Sequence, residues 1–541
     1  MTNRSPRDRG SEGLRLSSPY HHEKLAAHRP RPGANVWRRA VRMLARDGAE
    51  AHLAGQGDPA MIRLPEPKHE VLARRDAIVA GLRALLPESG LIAEPLRLKP
   101  YETDGLSAYR QVPMAVALPE TTEQVAAVLG FCHANGVRVV PRGAGTSLSG
   151  GALPMADAVV VGLMRMNRIL DIDYADRCAT VQAGVTNIGI TNAVSDNGFF
   201  YAPDPSSQLA CMIGGNVNMN SGGAHCLKYG VTANNLLGLK IVTIDGEILD
   251  IGGAHLDAAG YDWLGLLTGS EGMLAVVTEV TVRILRSPEG ARAMLAAFRS
   301  NEVAGACVDS IIGSGIIPVA LEFMDRPAIH ACEAFAHAGY PLDAEAMLII
   351  EVEGSVTEQD DLLARLSAIC NQHDPISLKV SQSAEESAAI WKGRKGAFGA
   401  IGRISPDYLC MDGTIPTSRL PDVLRRIQEM SDSYGLKVAN IFHAGDGNLH
   451  PLIMFDANDP ASFHKAETFG ADILKLCVEV GGCLTGEHGV GVEKRDLMPV
   501  QFAAHELEQQ RRIKTAFDPD WLLNPSKVFP LVEPEPVPLA A

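Results

Sequence analysis

The chain has 541 residues, too many for one hydrophobic core, so roughly two to four domains are expected. Its hydrophobic fraction of 46% and charged fraction of 21% are those of a soluble globular protein. A formal net charge of −15 argues against a general nucleic-acid role, because an acidic surface repels phosphate backbones.

Residues 1–60 carry Arg and Lys in excess over Asp and Glu, with many Pro, Ser and Gly up to Gly33. They read as a flexible extension, reaching to residue 70, or as sequence upstream of the true start. Within them, Val36–Leu44 is basic and amphipathic, as a solvated helix or a membrane or partner contact would be. No run of about 18 apolar residues predicts a membrane-spanning helix. The short apolar stretch of a secretory signal is missing too.

The first well-patterned unit begins near Gln111. Met114–Leu118 reads as a strand, and Thr121 with Gln124 fits a capping box opening a helix. Val125, Val128, Leu129 and Cys132 recur at helical spacing, and Gly136 stops the helix. Val137–Val140 is a β-branched strand that Pro141 is expected to break. The glycine-rich loop Arg142–Gly151 follows. Strands resume at Ala158–Leu163, Ile169–Ile172 and Thr180–Ala183, with a helix over Asn187–Asp196. Pro203–Gly230 is rich in Gly, Asn, Ser and Pro and reads as an ordered binding surface. Leu237–Thr243 and Glu247–Ile251 flank Asp245-Gly246, a hairpin signal. Val276–Ile284 closes the unit.

A second unit starts near Ala291. Val319–Phe323 and Met347–Val352 read as strands, Asp360–Ile369 and Leu420–Met430 as helices. Val438–His443 and Leu449–Phe455 are strands joined by a short glycine loop. This pattern predicts an α+β domain with an antiparallel sheet, closed by a helical segment over Ala503–Ala516. Domain boundaries are expected at 75–290 and 291–530. The ten cysteines form no C-x-x-C pair, and Cys477 and Cys483 are the nearest neighbours. They read as buried free thiols rather than ligands of an iron–sulfur cluster or structural zinc.

Three stretches have the composition to surround a dinucleotide. In Arg142–Gly151, glycines let successive N–H groups converge on an anion, and Thr146, Ser147 and Ser149 add hydroxyl donors. It is neither a Rossmann fingerprint nor a Walker loop, and alone it also fits a surface turn. The others are Ile213–Gly223 and Leu267–Ala275. Three such loops in one unit are hard to explain as turns.

The string P-R-G-A-G-T-S-L-S-G resembles the pyrophosphate loop of vanillyl-alcohol-oxidase-type FAD domains. G-G-N-V-x-x-N-S-G-G and L-T-G-S-E-G are similar to that family's further flavin-contacting loops. The resemblance implies FAD, with Arg142, Gly143, Ala144, Gly145, Thr146 and Ser147 on the pyrophosphate. It places Gly215, Asn218, Asn220, Ser221 and Gly223 along the cofactor, Glu271 near the adenosine, Pro203 beside the flavin, and Val277 and Asn524 among the contacts. Arg142 stands where covalently flavinylated members often carry a histidine, so the FAD is expected to be non-covalent.

The second unit holds His443-Ala-Gly-Asp446-Gly-Asn448-Leu-His450 and Thr485-Gly-Glu487-His488-Gly-Val-Gly491. A Glu and two His suit a divalent transition metal, although loop histidines are commonly just solvated. Both strings resemble the C-terminal domain of flavin-linked D-2-hydroxyacid dehydrogenases, glycolate oxidase subunits among them. So do Arg403–Pro416 and Phe517–Pro525. The resemblance implies His443, His450 and Glu487 as ligands of Zn, Mn or Fe, and His488 as the base. Asp446 and Asn448 fall beside the metal or substrate. It also implies Arg394 as the grip on a substrate carboxylate, where spacing alone suggests only a surface ion pair. Some relatives with diacid substrates carry a second cation just before Asp412, whereas Cys410-Met411 supplies none, which argues for a small monoacid. The expected function is FAD-dependent oxidation of a small 2-hydroxycarboxylate, glycolate or D-lactate, to the 2-oxo acid. Electrons would pass to partner subunits, one an iron–sulfur protein, or to a quinone. The chain would be cytoplasmic, held peripherally at the inner membrane through partners. A D-lactate dehydrogenase that works without partner subunits and a non-catalytic FAD-binding assembly subunit are the alternatives.

Overall fold

The computed structural model describes residues 62–255 and 260–531. The segment Val36–Leu44 and most of the expected extension lie outside the described residues. Residues 62–70 do not behave as an extension. The Lys68 N–H donates to Asp157 at 2.9 Å, and the Glu66 carbonyl accepts from Arg138 at 3.3 Å. Ile62 and Leu64 pack against a hydrophobic core. Their apolar side chains hold down a stretch whose prolines and charges look solvated in sequence.

The first half carries two sheets. One has four strands in the order Leu91–Ile92, Ala115–Ala117, Ala158–Gly162 and Arg138–Arg142, the last three parallel. The helix Thr122–Ala134 packs on it, with the Thr121 hydroxyl accepting from the Gln124 N–H. The strand expected to break at Pro141 continues through it to Arg142. It pairs with Ala158–Gly162 on one side only, and an edge strand tolerates a residue without an N–H. Leu522–Asn524 covers part of that edge, where the Val139 N–H donates to Leu522 at 2.8 Å and the Asn524 N–H to Val139 at 2.7 Å. The other sheet is antiparallel, ordered Ile169–Asp173, Cys178–Gln182, Val276–Arg283, Leu236–Val242 and Ile248–Gly252. The hairpin at Asp245-Gly246 forms as expected, with Gly246 at φ +92°.

The second half is one large antiparallel sheet with helices on both faces. At its centre, Ala346–Glu353 lies between Ala291–Phe298 and Ala320–Asp325. All but its last residue are buried, as expected of a nearly continuous apolar run covered on both sides. On one face lie the helices Asn301–Gly313, Val356–Asn371 and Leu420–Tyr434. The last of these buries Leu420, Val423, Leu424 and Ile427 at helical spacing. The opposite face receives Arg326–Ala336 and Ala384–Lys395. The chain is thus α+β throughout. Its tail crosses back: Leu522 and Leu523 belong to the first half's core, although the boundaries expected from sequence assign them to the second domain. The ten cysteines are free and all but Cys483 are buried. No helix among the described residues is long and apolar enough to cross a membrane.

Candidate active site

A cavity of about 540 Å³ opens where the glycine loops meet the Glu487–His488 loop. The residues from Arg142 to Ser147 form one wall. The N–H groups of Gly143, Ala144 and Gly145 have no protein acceptor among the described residues, leaving a row of donors for an anion. Gly145 sits at φ +75°, and a Cβ there would lie 2.1 Å from the Arg142 guanidinium. That guanidinium donates to the Thr103 carbonyl at 2.8 Å. Gly215, Asn218, Ser221 and Glu271 line the same cavity. Gly215, in the helix Ile213–Met219, faces open space, with no atom within 4 Å of where a Cβ would stand. This donor-rich, glycine-lined cleft fits a dinucleotide with its pyrophosphate on the first loop.

Other expected cofactor residues stand behind the wall. The Pro203 carbonyl accepts from Asn187, and Gly223 at φ +152° passes so close to Asp204 that a Cβ would clash. Asn220 ends its helix in the left-handed region and faces a second cavity. Val277 is core, and buried Asn524 donates to the carbonyls of Gly151 and Glu271 at 3.1 and 2.6 Å. Glu271 has a role its sequence did not reveal. Its carboxylate accepts from the N–H groups of Val490 and Gly491 at 2.6 and 2.7 Å, strapping the loop that carries Glu487 and His488 to the first half.

His443, His450 and Glu487 come together. Glu487 Oε1 lies 3.4 Å from His443 Nε2 and 3.1 Å from His450 Nε2. Two ligand atoms of a tetrahedral ion at about 2.1 Å lie roughly 3.4 Å apart, so the set fits a divalent metal. The far ring nitrogens are also held, His443 Nδ1 by Glu322 at 2.7 Å and His450 Nδ1 against the Met411 carbonyl at 3.3 Å. Such partners orient metal-binding imidazoles. Burial disfavours charge on His443, but Glu322 and Glu487 outweigh it and raise its pKa well above the ordinary value. A cation supplies the same compensation. Asn448 and Asp446 buttress the turn, the Asn448 N–H donating to Asp446 at 3.2 Å.

His488 stacks on His450 with ring centroids 4.9 Å apart, and its buried Nδ1 has no hydrogen-bond partner. Burial pushes its pKa down to about 4, against the attraction of Asp412, so the ring is neutral at physiological pH. His488 and Glu487 both line the cavity that the glycine loops form. Arg394 stands farther back, with Nε and a terminal nitrogen on Glu322 Oε2 at 2.8 and 2.7 Å.

Three groups escaped the motif reading. Glu322 joins Arg394 to His443, and its signal was a lone carboxylate in the apolar strand Val319–Phe323. Buried Asp412 accepts from the N–H groups of Gly486, Glu487 and His488 at 3.0, 3.1 and 2.9 Å, and Lys494 Nζ pairs with it at 3.0 Å. Burial would raise the Asp412 pKa, but Lys494 and the two histidines hold it well below the usual range. Phe398 and Tyr408, whose ring centroids lie 6.1 Å apart, line the cavity as well.

Both halves of the chain match known protein families. Residues 113–252 match the family model described as an FAD binding domain, and 287–528 that of the FAD linked oxidases, C-terminal domain. The chain is 52% identical over 84% of its length to the glycolate oxidase subunit GlcD of Escherichia coli strain K12, covering 91% of that protein. Identity to a D-lactate dehydrogenase of Archaeoglobus fulgidus is 32%, over 79% of this chain and 94% of the other. The fold superposes on 4-ethylphenol oxidase from Gulosibacter chungangensis with a TM-score of 0.72 at 16% identity, covering 86% of this chain and 99% of that one.

Proposed function

The chain belongs to the FAD-linked oxidases, and from that premise we propose that it oxidises a small 2-hydroxy acid, glycolate foremost, to the 2-oxo acid. One observation carries the reading: His488 and Glu487 line the same cavity as the glycine loops, which brings a histidine base to the place proposed for the dinucleotide.

The pyrophosphate of FAD would rest on the N–H groups of Gly143–Gly145, and a divalent ion on His443, His450 and Glu487. When bound, FAD supplies a two-electron acceptor and the ion a Lewis acid that lowers the pKa of a hydroxyl. His488 accepts the hydroxyl proton, because its free nitrogen is uncharged. Asp412 holds the N–H groups of Gly486, Glu487 and His488 and so fixes the backbone that carries the ring. Arg394, steadied by Glu322, takes the substrate carboxylate. Phe398 and Tyr408, which line the cavity, take up room there and so favour a short acid. Electrons then leave for partner subunits, one carrying iron–sulfur clusters, at the membrane face; this step rests on likeness to a protein named as a subunit.

Anaerobic titration with glycolate, D-lactate, L-lactate and D-2-hydroxyglutarate tests the proposal. Bleaching of the flavin by glycolate is expected, and an inert flavin across the panel would refute it. Treatment with a chelator should stop bleaching while FAD stays bound; unchanged reduction by metal-free protein would remove the ion. The likeness to D-lactate dehydrogenase supports a second reading, in which the protein alone turns over D-lactate with a dye acceptor. Dependence on co-purifying subunits would exclude that reading.

A further inference from the structure

Two hydrogen-bonded chains of side chains, Asp204–His225–Glu351–Trp391 and Arg394–Glu322–His443, are joined only through the helix that carries Trp391 and Arg394, and the first contains a histidine with no role in the chemistry above. His225 sits between two carboxylates from opposite halves of the molecule. Its Nδ1 lies 2.8 Å from Asp204 Oδ2, and its backbone N–H donates to Asp204 Oδ1 at 3.1 Å. Its Nε2 lies 3.1 Å from Glu351 Oε2. Asp204 directly precedes Pro205 and Ser206, which line the cavity. Glu351 stands on the central strand of the second sheet, and its other oxygen accepts from the Trp391 indole N–H at 2.9 Å.

Trp391 lies one helical turn before Arg394 in the helix Ala384–Lys395, so both side chains leave the same side. From Arg394 a second hydrogen-bonded chain runs to Glu322 and from Glu322 to His443 Nδ1, so the helix itself couples the two. An imidazolium donates from two opposite nitrogens, and that geometry bridges two carboxylates which would otherwise repel each other. Gln can supply a donor to one of them only.

We propose that His225 is a positioning residue: it locks the Asp204 loop of the first half to Glu351 and Trp391, and thereby sets where Arg394 meets the substrate carboxylate. The proposal rests on the reading of Arg394 as the carboxylate grip. A neighbouring contact supplies an internal control. Lys228 pairs with Glu353 at 2.8 Å, joining the same two halves, whereas the Trp391 indole N–H donates to Glu351.

Holoenzyme carrying His225→Gln, Trp391→Phe, both together, or Lys228→Met would be titrated with oxalate, a planar carboxylate that cannot donate a hydride. Binding would be followed by the perturbed flavin spectrum, and FAD content by absorbance. His225→Gln and Trp391→Phe should each weaken oxalate roughly tenfold, the scale of one hydrogen bond to a charged group. The double variant should be no worse than the weaker-binding single variant, because both changes cut one line. Lys228→Met should bind as the wild type does, and FAD content should hold throughout. Oxalate affinity unchanged within twofold in His225→Gln, additive losses in the double variant, or loss of flavin would each overturn the assignment. A wild type that binds oxalate yet is reduced by no 2-hydroxy acid sinks the proposed function and leaves the line standing. A wild type that does not bind oxalate removes the carboxylate grip, and the line with it.

Discussion

The two ends of the cavity are made by different means. At the dinucleotide end the groups that meet the ligand are backbone N–H donors, and side chains are kept small so that the main chain can approach. At the other, Glu487 and His488 reach the cavity from a loop tied down by Asp412, and behind them stand side chains brought from separate places, His443 and His450 from one turn and Glu322 from a strand. A backbone site tolerates many side-chain changes outside the glycines. A site made of side chains relies on buried partners far away in sequence. Damage at one end should therefore cost cofactor, and damage at the other should cost chemistry.

His488→Ala should break that comparison most sharply, lowering the rate of flavin reduction by substrate about 10²–10⁴-fold with FAD content unchanged. Stopped-flow reduction beside the flavin absorbance ratio measures both, and normal bleaching would refute the base assignment. Next in size is Glu322→Gln, which loosens Arg394 and His443 together. A loss of roughly 10–100-fold in kcat/KM is expected, again with flavin retained. Gly145→Ala should do the reverse. Its left-handed backbone and the blocked Cβ position cost about 1–2 kcal/mol, read as lower Tm and FAD occupancy, while the flavin still bound is reduced normally.

The smallest effect is on pH dependence. Burial disfavours charge on His225, but Asp204 and Glu351 prevail and raise its pKa to about 10 from 6.5. A group with a raised folded-state pKa stabilises fully below its unfolded value and loses that contribution as pH rises through the folded value. The Tm difference between wild type and His225→Gln should therefore be largest below pH 6.5 and shrink as pH rises toward 10. A difference that stays flat across this range would show that the imidazolium is not the stabilising form.

The legibility of the sequence followed the same division. The helix Thr122–Ala134 announced itself through its cap and its apolar spacing, and the hairpin at Asp245-Gly246 through its turn residues. The loop Arg142–Ser147 was readable because a nest of N–H donors is contiguous along the backbone. His443, His450 and Glu487 stand out in their strings, but nothing in the spacing says that their ligand atoms converge. The strand through Pro141 is not legible in this way, because whether a strand is an edge depends on its neighbours. Glu271 looks like a cofactor contact in its motif, yet its carboxylate holds Val490 and Gly491 from more than two hundred residues away.

What the residues determined by themselves was local: caps, turns, apolar periodicity, and the glycine strings that leave donors bare. These depend on interactions within a few positions, so their signals survive in one dimension. Tertiary structure alone decided that Glu322 joins an arginine to a histidine, that Asp412 gathers the Gly486–His488 loop, and that His225 lies between Asp204 and Glu351. Each of these is a charged group held by partners distant in sequence, Glu322 and Asp412 fully buried and His225 partly so, and such contacts exist only once the sheets and helices have packed.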